Sequence, residues 1–380
     1  MRFLFFVNTP AHAHLYKYAV ERLDRRGHDV HILARDYGCT LDLLEWHDLP
    51  YSVYGRCDTT KGSLFRQLPR HYASLLPATL RYDPDLIFGM GGYAAPAGLV
   101  SRTPVVLILD SEPTTLDHAL SKPLADAVLT PAAFRKDLGP KHYVFDGFKE
   151  SAYLHPDVHE PYPAIRSELG VSAQEPFAIL RFNAFGSHHD VGAGGFSPAQ
   201  RRRLVSRLAE EVTVFVSDEG GQMDLDGLPA KRFDVHPAAL HHALAEADLL
   251  VADTQTIATE AALLGTPAIR SNSFVGDDDM GNFLELERQG LLRNLDSFEA
   301  VLSTATELLN DESTATEWAR RRDEFVADMV NLTDVIVAVA TKHDSIETVP
   351  GLRSRSAARP TRHTAQQPPT ARERTPSGED

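Results

Sequence analysis

The sequence has few cysteines and no long apolar run. Its 380 residues include 2 cysteines, Cys39 and Cys57, too few for a disulfide framework or a cysteine metal cluster. No stretch approaches the roughly eighteen apolar residues of a membrane-spanning helix. The apolar start, Phe3–Val7, is short and is followed by Asn8 and Pro10, which predicts a strand rather than a signal peptide. We therefore expect a cytoplasmic protein without disulfides.

Basic residues are also in short supply. The chain has 38 Lys and Arg against 53 Asp and Glu, a formal net charge of −15. This acidic excess argues against a nucleic-acid partner, which would require a basic surface. It is typical of halophilic proteins, whose acidic surfaces stay hydrated in concentrated salt, although an acidic mesophilic protein has the same composition.

What the sequence does have is repeated alternation of strand and helix patterns. At 380 residues it is longer than one typical core, and each half alternates separately, which predicts an α/β protein with two Rossmann-like domains built on parallel sheets. The segment 146–163, rich in Gly, Pro and His, interrupts the alternation as a linker. We expect a first domain at 1–150, a second at 164–312, helices at 313–344 and a disordered tail at 345–380.

The most informative segment is 247–269, with the sequence ADLLVADTQTIATEAALLGTPAI. An apolar strand is followed by Asp253 and Thr254 as N-cap candidates, then by a helix that carries Glu260 and ends at Gly265. A strand, a tight turn and a helix N-terminus form an anion site, because free N–H groups and the helix dipole face the turn. The alternative is an ordinary βα unit with a surface glutamate.

A second segment, 85–112, has a comparable pattern in the first half of the chain. A strand ends at Gly89, and Gly91 and Gly92 form a turn in which the backbone could closely approach a ligand. The next strand ends at Asp110 and Glu112, two carboxylates that point the same way because side chains alternate along a strand. They could serve as acid and base or orient a substrate; a solvated turn is the alternative.

Together the segments resemble the GT-B superfamily, which comprises nucleotide-sugar glycosyltransferases and non-hydrolysing sugar epimerases. The run GMGGY followed by PVVL resembles the bacterial lipid-linked N-acetylglucosaminyltransferase. Residues 1–309 are most similar to the domain-of-unknown-function 354 family, a mainly archaeal GT-B-like group that has no assigned activity. The runs that carry this resemblance are NTPAHAHLYK, RGHDVHILARDYG, DGFKESAYLHP, RFNAFGSHHDVGAGG and TEAALLGTPAI.

The resemblance implies that a nucleotide sugar, most simply a UDP-sugar, binds between the domains. The second domain would hold the nucleotide on the residues Arg181, Asn183, Ser187, His188, Asp253, Thr254, Gln255, Thr256 and Glu260, with Glu260 on the ribose. The first domain would contribute His12 as base, with Asp110, Glu112, Gly91, Gly92 and Lys149. His12 could instead cap its helix, and Lys149 could form a hinge salt bridge. We expect neither a metal nor a cofactor, since adjacent His188, His189 and Asp190 chelate poorly.

Three functions remain open at this stage. The first is a glycosyltransferase that moves the sugar to an unknown acceptor, for which a lipid-linked molecule is one alternative. The second is a non-hydrolysing nucleotide-sugar epimerase, and the third is a non-catalytic nucleotide-sugar binding protein. The segment Leu64–Arg81 predicts a basic amphipathic helix that could lie on a membrane, or one that packs on the sheet.

Overall fold

Two α/β units, each built on its own sheet, make up the chain. The computed structural model describes residues 1–57, 63–183, 194–221 and 223–356. The strands in these ranges are β1 (Arg2–Val7), β2 (Asp29–Asp36), β3 (Tyr51–Arg56), β4 (Leu86–Gly89), β5 (Val105–Ile108), β6 (Ala127–Pro131), β7 (His142–Phe145), β8 (Phe177–Phe182), β9 (Thr213–Asp218), β10 (Lys231–Arg232), β11 (Leu249–Ala252), β12 (Ala268–Arg270), β13 (Arg293–Asn294) and β14 (Leu352–Ser354).

Helices separate most of these strands along the chain. They are α1 (Pro10–Arg25), α2 (Thr40–Trp46), α3 (Ser63–Tyr82), α4 (Ala94–Ser101), α5 (Thr115–Ser121), α6 (Ser151–Leu154), α7 (Ile165–Glu168), α8 (Pro198–Leu208), α9 (Leu240–Ala245), α10 (Thr256–Leu264), α11 (Gly281–Arg288), α12 (Phe298–Asn310), α13 (Thr314–Val326) and α14 (Leu332–Lys342). Short 3₁₀ turns lie at Lys122–Leu124, Pro237–Ala239 and His343–Thr348. None of the described helices combines the length and the apolar character needed to cross a membrane.

The two sheets share one topology. The first has the order β14-β7-β6-β5-β4-β1-β2-β3 and the second has the order β10-β9-β8-β11-β12-β13. All pairs except β14 with β7 are parallel. The strand order therefore reverses between β1 and β4 and again between β8 and β11. Ligands of doubly wound sheets bind at the carboxyl ends of strands beside such reversals, so this topology marks two candidate binding edges. The predicted fold class is confirmed.

The sequence accounts for this layering. The central strands are apolar on both faces, as in Phe3–Val7, whose side chains are all buried, because helices cover both sides of each sheet. Helix α1 starts at Pro10, since proline is well suited to the first helical turn. Gly27 follows the helix in the left-handed region that favours glycine.

The last helices connect the two units. Helix α13 packs on α10 of the second unit, and α14 packs on α1 of the first. The Thr333 hydroxyl donates to the Ala152 carbonyl at 2.7 Å, and Arg22 pairs with Asp334. The segment 313–344, predicted to be helical, thus contains two helices that lie against opposite units.

The structure decides two expectations about the surface. Residues 345–356 are not a disordered tail, because β14 adds to the sheet edge and Leu352 is buried against the core, while Arg353 pairs with Asp146. Residues 357–380 lie outside the described part. In α3, Leu68, Tyr72 and Leu75 pack on the core of the first sheet, so of the two alternatives for Leu64–Arg81 the structure shows the helix that packs on the sheet.

Replacing Leu352 tests the attachment of β14. Because Leu352 is only 8% exposed, Leu352→Ala should lower the free energy of unfolding by about 2–5 kcal/mol, the usual cost of truncating a buried leucine. The matched control is Leu120→Ala, since Leu120 is 64% exposed and its loss should change stability by less than about 0.5 kcal/mol. Equal urea-unfolding curves for the two variants would contradict the docking of β14.

Candidate functional site

A small cavity lies between the units, at the carboxyl ends of strands from the first sheet. Its volume is about 10 Å³, room for about one water molecule, and it is lined by Asp110, Glu112, Pro131, Phe134, Phe148, Lys149, Glu150 and Asn282. Pockets that enclose drug-sized ligands are larger, roughly 300–1,000 Å³. A nucleotide sugar could therefore enter only if the units separate. A larger depression near Glu175 and Lys231 lies at the opposite, amino ends of β8 and β9, away from every candidate residue.

A buried lysine between two carboxylates forms the polar centre of this cavity. Lys149 Nζ lies 2.5 Å from Asp110 Oδ2 and 2.6 Å from Glu150 Oε1. Burial alone would lower the pKa of Lys149, but the two carboxylates hold it above its usual value, so the lysine stays charged. The hinge salt bridge considered for Lys149 is thus present, and it includes the predicted catalytic residue Asp110.

Glu112 bridges the two units. Its Oε1 accepts from the Arg135 N–H in the first unit and from the Gly281 N–H in the second, both at 3.1 Å. Its Oε2 is buried without a hydrogen-bond partner among the described residues, and burial raises the pKa of the carboxyl group. The solvated-turn alternative for Glu112 is therefore wrong. One oxygen is fixed by the interface, and the other is left for a ligand or a proton.

Asn282 adds a second unsatisfied polar atom to the cavity. Its Nδ2 donates to Thr259 Oγ1 of α10 at 3.2 Å, while its Oδ1 is buried without a partner in the described ranges. Buried polar atoms are nearly always hydrogen-bonded in native proteins. This cavity has two such atoms, Asn282 Oδ1 and Glu112 Oε2. A ligand rich in hydroxyl groups could form hydrogen bonds with both.

His12 lies close to the lysine cluster, as expected for a first-domain base. Its Nδ1 accepts from the Asn8 N–H at 3.2 Å, and its ring is half-buried. Burial, together with the nearby charges of Arg35 and Lys149, lowers the pKa of His12 to about 3, so the ring is neutral at pH 7. A neutral imidazole can accept a proton, and a polyanionic ligand nearby would raise its basicity.

The turn at Gly91 and Gly92 is occupied by protein. Asp117 Oδ1 accepts from the Gly92 N–H at 2.9 Å, and Tyr72 donates to the Gly92 carbonyl at 2.5 Å. A side chain at Gly91, which has a φ of 111°, would collide with Asp117 at 2.0 Å. The two glycines therefore let another group come close to the backbone, as predicted, but that group is the Asp117 side chain rather than a ligand.

Asp253 is a structural acceptor instead of a helix cap. Helix α10 begins at Thr256 with Gln255 as its N-cap, and no side chain caps it. Asp253 accepts from the N–H groups of Asn183 at 2.6 Å and Phe196 at 3.2 Å, with Arg201 nearby. Burial raises its pKa to about 6, against the opposing effects of these donors. Both predicted N-caps are wrong, because Asp253 ties β11 to the loop after β8.

Thr254 is the notable residue at the start of α10. It is 7% exposed, and its hydroxyl is buried without a partner among the residues described. It lies just after β11, at the reversal of strand order between β8 and β11. The uncapped helix N-terminus and this hydroxyl together offer hydrogen-bond donors at the place where such sheets bind phosphate.

Glu260 and Arg181 are engaged within the protein. Glu260 is 4% exposed, and its Oε1 accepts from Tyr153 at 2.8 Å and from His241 at 3.0 Å. Arg181 donates to Ser217 and pairs with Glu219 at 2.7 Å. The surface-glutamate alternative is therefore wrong, because Glu260 is buried and the linker residue Tyr153 covers it. The predicted residues Ser187 and His188 lie outside the described residues, and no metal-binding cluster is found within them.

Sequence reasoning missed the residues that join the units. Arg135 Nη1 donates to the carbonyls of Asp277 and Asp279 at 3.2 and 3.0 Å, and Trp46 stacks on His236 at 4.2 Å. A Cβ atom at Gly281 would lie 1.9 Å from the Ala133 carbonyl oxygen. No motif marks these positions, since each matters only through a partner in the other half of the chain.

Comparison with known proteins places this geometry in one fold. No family model matches the chain, and an uncharacterized protein of Methanocaldococcus jannaschii is 23% identical over 278 residues, 69% of this chain and 79% of that protein. The structure is similar to the S. aureus MnaA–UDP co-structure, with a TM-score of 0.65 and 12% identity over 91% of this chain and 97% of that one.

Solved structures of two activities share this likeness. UDP-GlcNAc 2-epimerase from Neisseria meningitidis, bound to UDP-GlcNAc, has a TM-score of 0.58 and 13% identity, covering 90% of this chain and 98% of the epimerase. The spinosyn forosaminyltransferase SpnP has a TM-score of 0.60 and 15% identity, covering 90% of this chain and 98% of the transferase. The chain therefore has the GT-B fold, which these glycosyltransferases and UDP-GlcNAc 2-epimerases share.

Gly281→Ala tests the closed interface. Alanine favours helix α11 locally, but its Cβ would clash with the Ala133 carbonyl, so the units should move apart. We expect a loss of about 1–3 kcal/mol, as for overpacked sites, and a larger radius of gyration in X-ray scattering. The control Gly194→Ala, with no atom within 4 Å, should behave as wild type. Unchanged scattering and stability in Gly281→Ala would refute the contact.

Asp253→Asn tests the buried carboxyl. Since burial raises the pKa of Asp253 to about 6, from its usual value of 3.8, the folded protein binds more protons than the unfolded chain between these values. Its stability should then fall as the pH rises, by about 3 kcal/mol between pH 4 and pH 7 relative to Asp253→Asn. Urea unfolding across this range measures the difference. Parallel stability curves for the two proteins would show that the pKa is not raised.

Proposed function

We propose that the protein is an enzyme that binds a nucleotide sugar, most simply a UDP-sugar, between its two units. The observation that carries this proposal is the unpartnered Thr254 hydroxyl at the uncapped start of α10. A diphosphate there would accept from the N–H groups of Gln255 and Thr256 and from Thr254 Oγ1. Proteins of the same fold have been solved with UDP and UDP-GlcNAc, which supports a nucleotide-sugar ligand.

The other second-unit residues would complete the nucleotide site. Arg181 would exchange its pairing with Glu219 for the diphosphate, since a guanidinium binds phosphate oxygens in bidentate fashion. The ribose would use Oε2 of Glu260, because Tyr153 and His241 both donate to Oε1. The roles of Asn183, Ser187 and His188 remain as the resemblance implies. Asp253 would act only by positioning the loop around the phosphates.

The sugar would lie in the interdomain cavity, where the charged groups are concentrated. Glu112 Oε2 and Asn282 Oδ1 would bind its hydroxyls, and Lys149 would hold Asp110 in place. His12 would take the proton of an attacking hydroxyl, and the donors at the start of α10 would stabilise the departing diphosphate. Transfer of the sugar to an acceptor is therefore our first candidate reaction.

Epimerisation of the nucleotide sugar is the second candidate, and a specific observation favours it. Moving a proton on and off a sugar carbon requires one acid and one base. Burial raises the pKa of Glu112, whereas Asp110 is paired with Lys149, so the cavity holds two carboxyl groups in different environments. The structural neighbours include enzymes of both kinds.

Thr254→Val tests the nucleotide site. The change removes a hydroxyl that has no described partner and keeps the shape, so the free energy of unfolding should not fall. Affinity for UDP should weaken about 10-fold or more, the effect of losing one hydrogen bond to a charged group. The control is Thr306→Val, a remote helical threonine that donates to Leu302. Glu260→Gln and Arg181→Gln should also weaken binding in titration calorimetry. Wild-type affinity in all three site variants would refute the proposal.

Incubation with UDP-GlcNAc alone separates the reactions. An epimerase should give a new sugar signal by NMR without an acceptor, whereas a transferase should leave the substrate unchanged until an acceptor is added. Glu112→Gln should reduce epimerisation at least 100-fold if Glu112 is the acid, in keeping with the rate contribution of general acid catalysis. Binding of UDP-GlcNAc without turnover by any added acceptor would favour the non-catalytic alternative.

A further inference from the structure

Arg35 is a buried cation at the reversal of strand order in the first sheet. It lies near the end of β2, beside β1, and is 8% exposed. Its Nε donates to the Asn8 carbonyl at 3.0 Å, in the same loop that carries His12. This places the guanidinium at the first sheet's binding edge, across the interface from the proposed nucleotide site.

The charge of Arg35 has no carboxylate partner in the described ranges. Of the other buried cations in these ranges, Lys149 lies between Asp110 and Glu150, and Arg270 pairs with Asp279 at 2.6 Å. Lys17, which is also 8% exposed, forms no ion pair with a described residue, although the charges of Glu260 and Glu21 act on it. A buried charge normally requires a partner, and none of the described carboxylates forms an ion pair with Arg35, so its guanidinium is open to an anionic ligand.

Neutral groups fix the guanidinium in position. It lies 5.3 Å from the Tyr37 ring centroid and 5.9 Å from that of Tyr93. The Tyr93 hydroxyl is 2.8 Å from His71 Nδ1, and Tyr54 donates to Asn8 Oδ1 at 2.8 Å. These contacts orient the arginine without neutralising it.

We propose that Arg35 binds an oxyanion of the substrate, a phosphate or carboxylate group, on the first-unit side of the cleft. The proposal rests on the proposed function, since the anion would belong to a substrate bound between the units. Two sources supply this chemistry: the diphosphate of the nucleotide and an anionic group on a second substrate. A guanidinium that is fixed by its Nε and by aromatic rings can bind either anion with two parallel hydrogen bonds.

The test uses the full chain, with inorganic phosphate and UDP as probes in thermal unfolding. The variants are Arg35→Met, Arg35→Lys and, as control, Arg56→Met, an arginine with an 83% exposed side chain near the end of the adjacent strand. Phosphate should raise the Tm of wild type and Arg56→Met by about 2–4 °C and leave that of Arg35→Met unchanged. Arg35→Lys keeps the charge but loses the two parallel hydrogen bonds, so it should bind phosphate about 10-fold more weakly.

Adding UDP identifies the source of the anion. If phosphate still raises the Tm of wild type at saturating UDP, the anion that Arg35 binds belongs to a second substrate. If UDP abolishes the phosphate effect and binds Arg35→Met at least 10-fold more weakly than wild type, the anion is the diphosphate of the nucleotide. Either result supports the site. An equal phosphate response in wild type and Arg35→Met would overturn it, as would a lower Tm of Arg35→Met without any anion effect in wild type. No UDP binding alongside a phosphate effect that requires Arg35 would refute only the nucleotide-sugar function.

Discussion

The hydrogen bonds of Glu112 to the N–H groups of Arg135 and Gly281 are the contact on which the arrangement of the site depends. They join the loops after β5 and β6 of the first sheet to the start of α11 in the second unit. The cavity lies beside this bridge, and it is lined by Lys149 with its two carboxylates and by Asn282. One oxygen of the Glu112 carboxyl group therefore joins the two units, and the other faces the cavity between them.

Electrostatics in the cleft follow from this closure. Charges brought out of water must be paired, and the protein pairs Lys149 with Asp110 and Glu150, and Glu260 with Tyr153 and His241. Among the described residues that line the cleft, Thr254, Asn282 and Glu112 each keep a polar atom without a hydrogen-bond partner. The nucleotide sugar that we propose as ligand is anionic at one end and rich in hydroxyls at the other, so it could satisfy these atoms.

The sequence was sufficient for the fold, because strand and helix periodicity is local. It failed where a side chain meets a distant partner. Asp253 has the residue type and position of an N-cap, yet its acceptors are used by the backbone of residues 183 and 196. Gly91 and Gly92 signal a close approach but not the identity of Asp117. Arg35 carried no signal at all, since its significance is a missing partner.

The edge strand β14 has a consequence for the order of assembly. The first sheet contains both residue 2 and residue 354, and α14 packs on α1, so the amino-terminal unit cannot be completed until residue 354 has left the ribosome. The sheet of the second unit needs only residues up to 294. During synthesis the later-encoded half can thus finish its sheet first, the reverse of the usual amino-to-carboxyl sequence of domain folding.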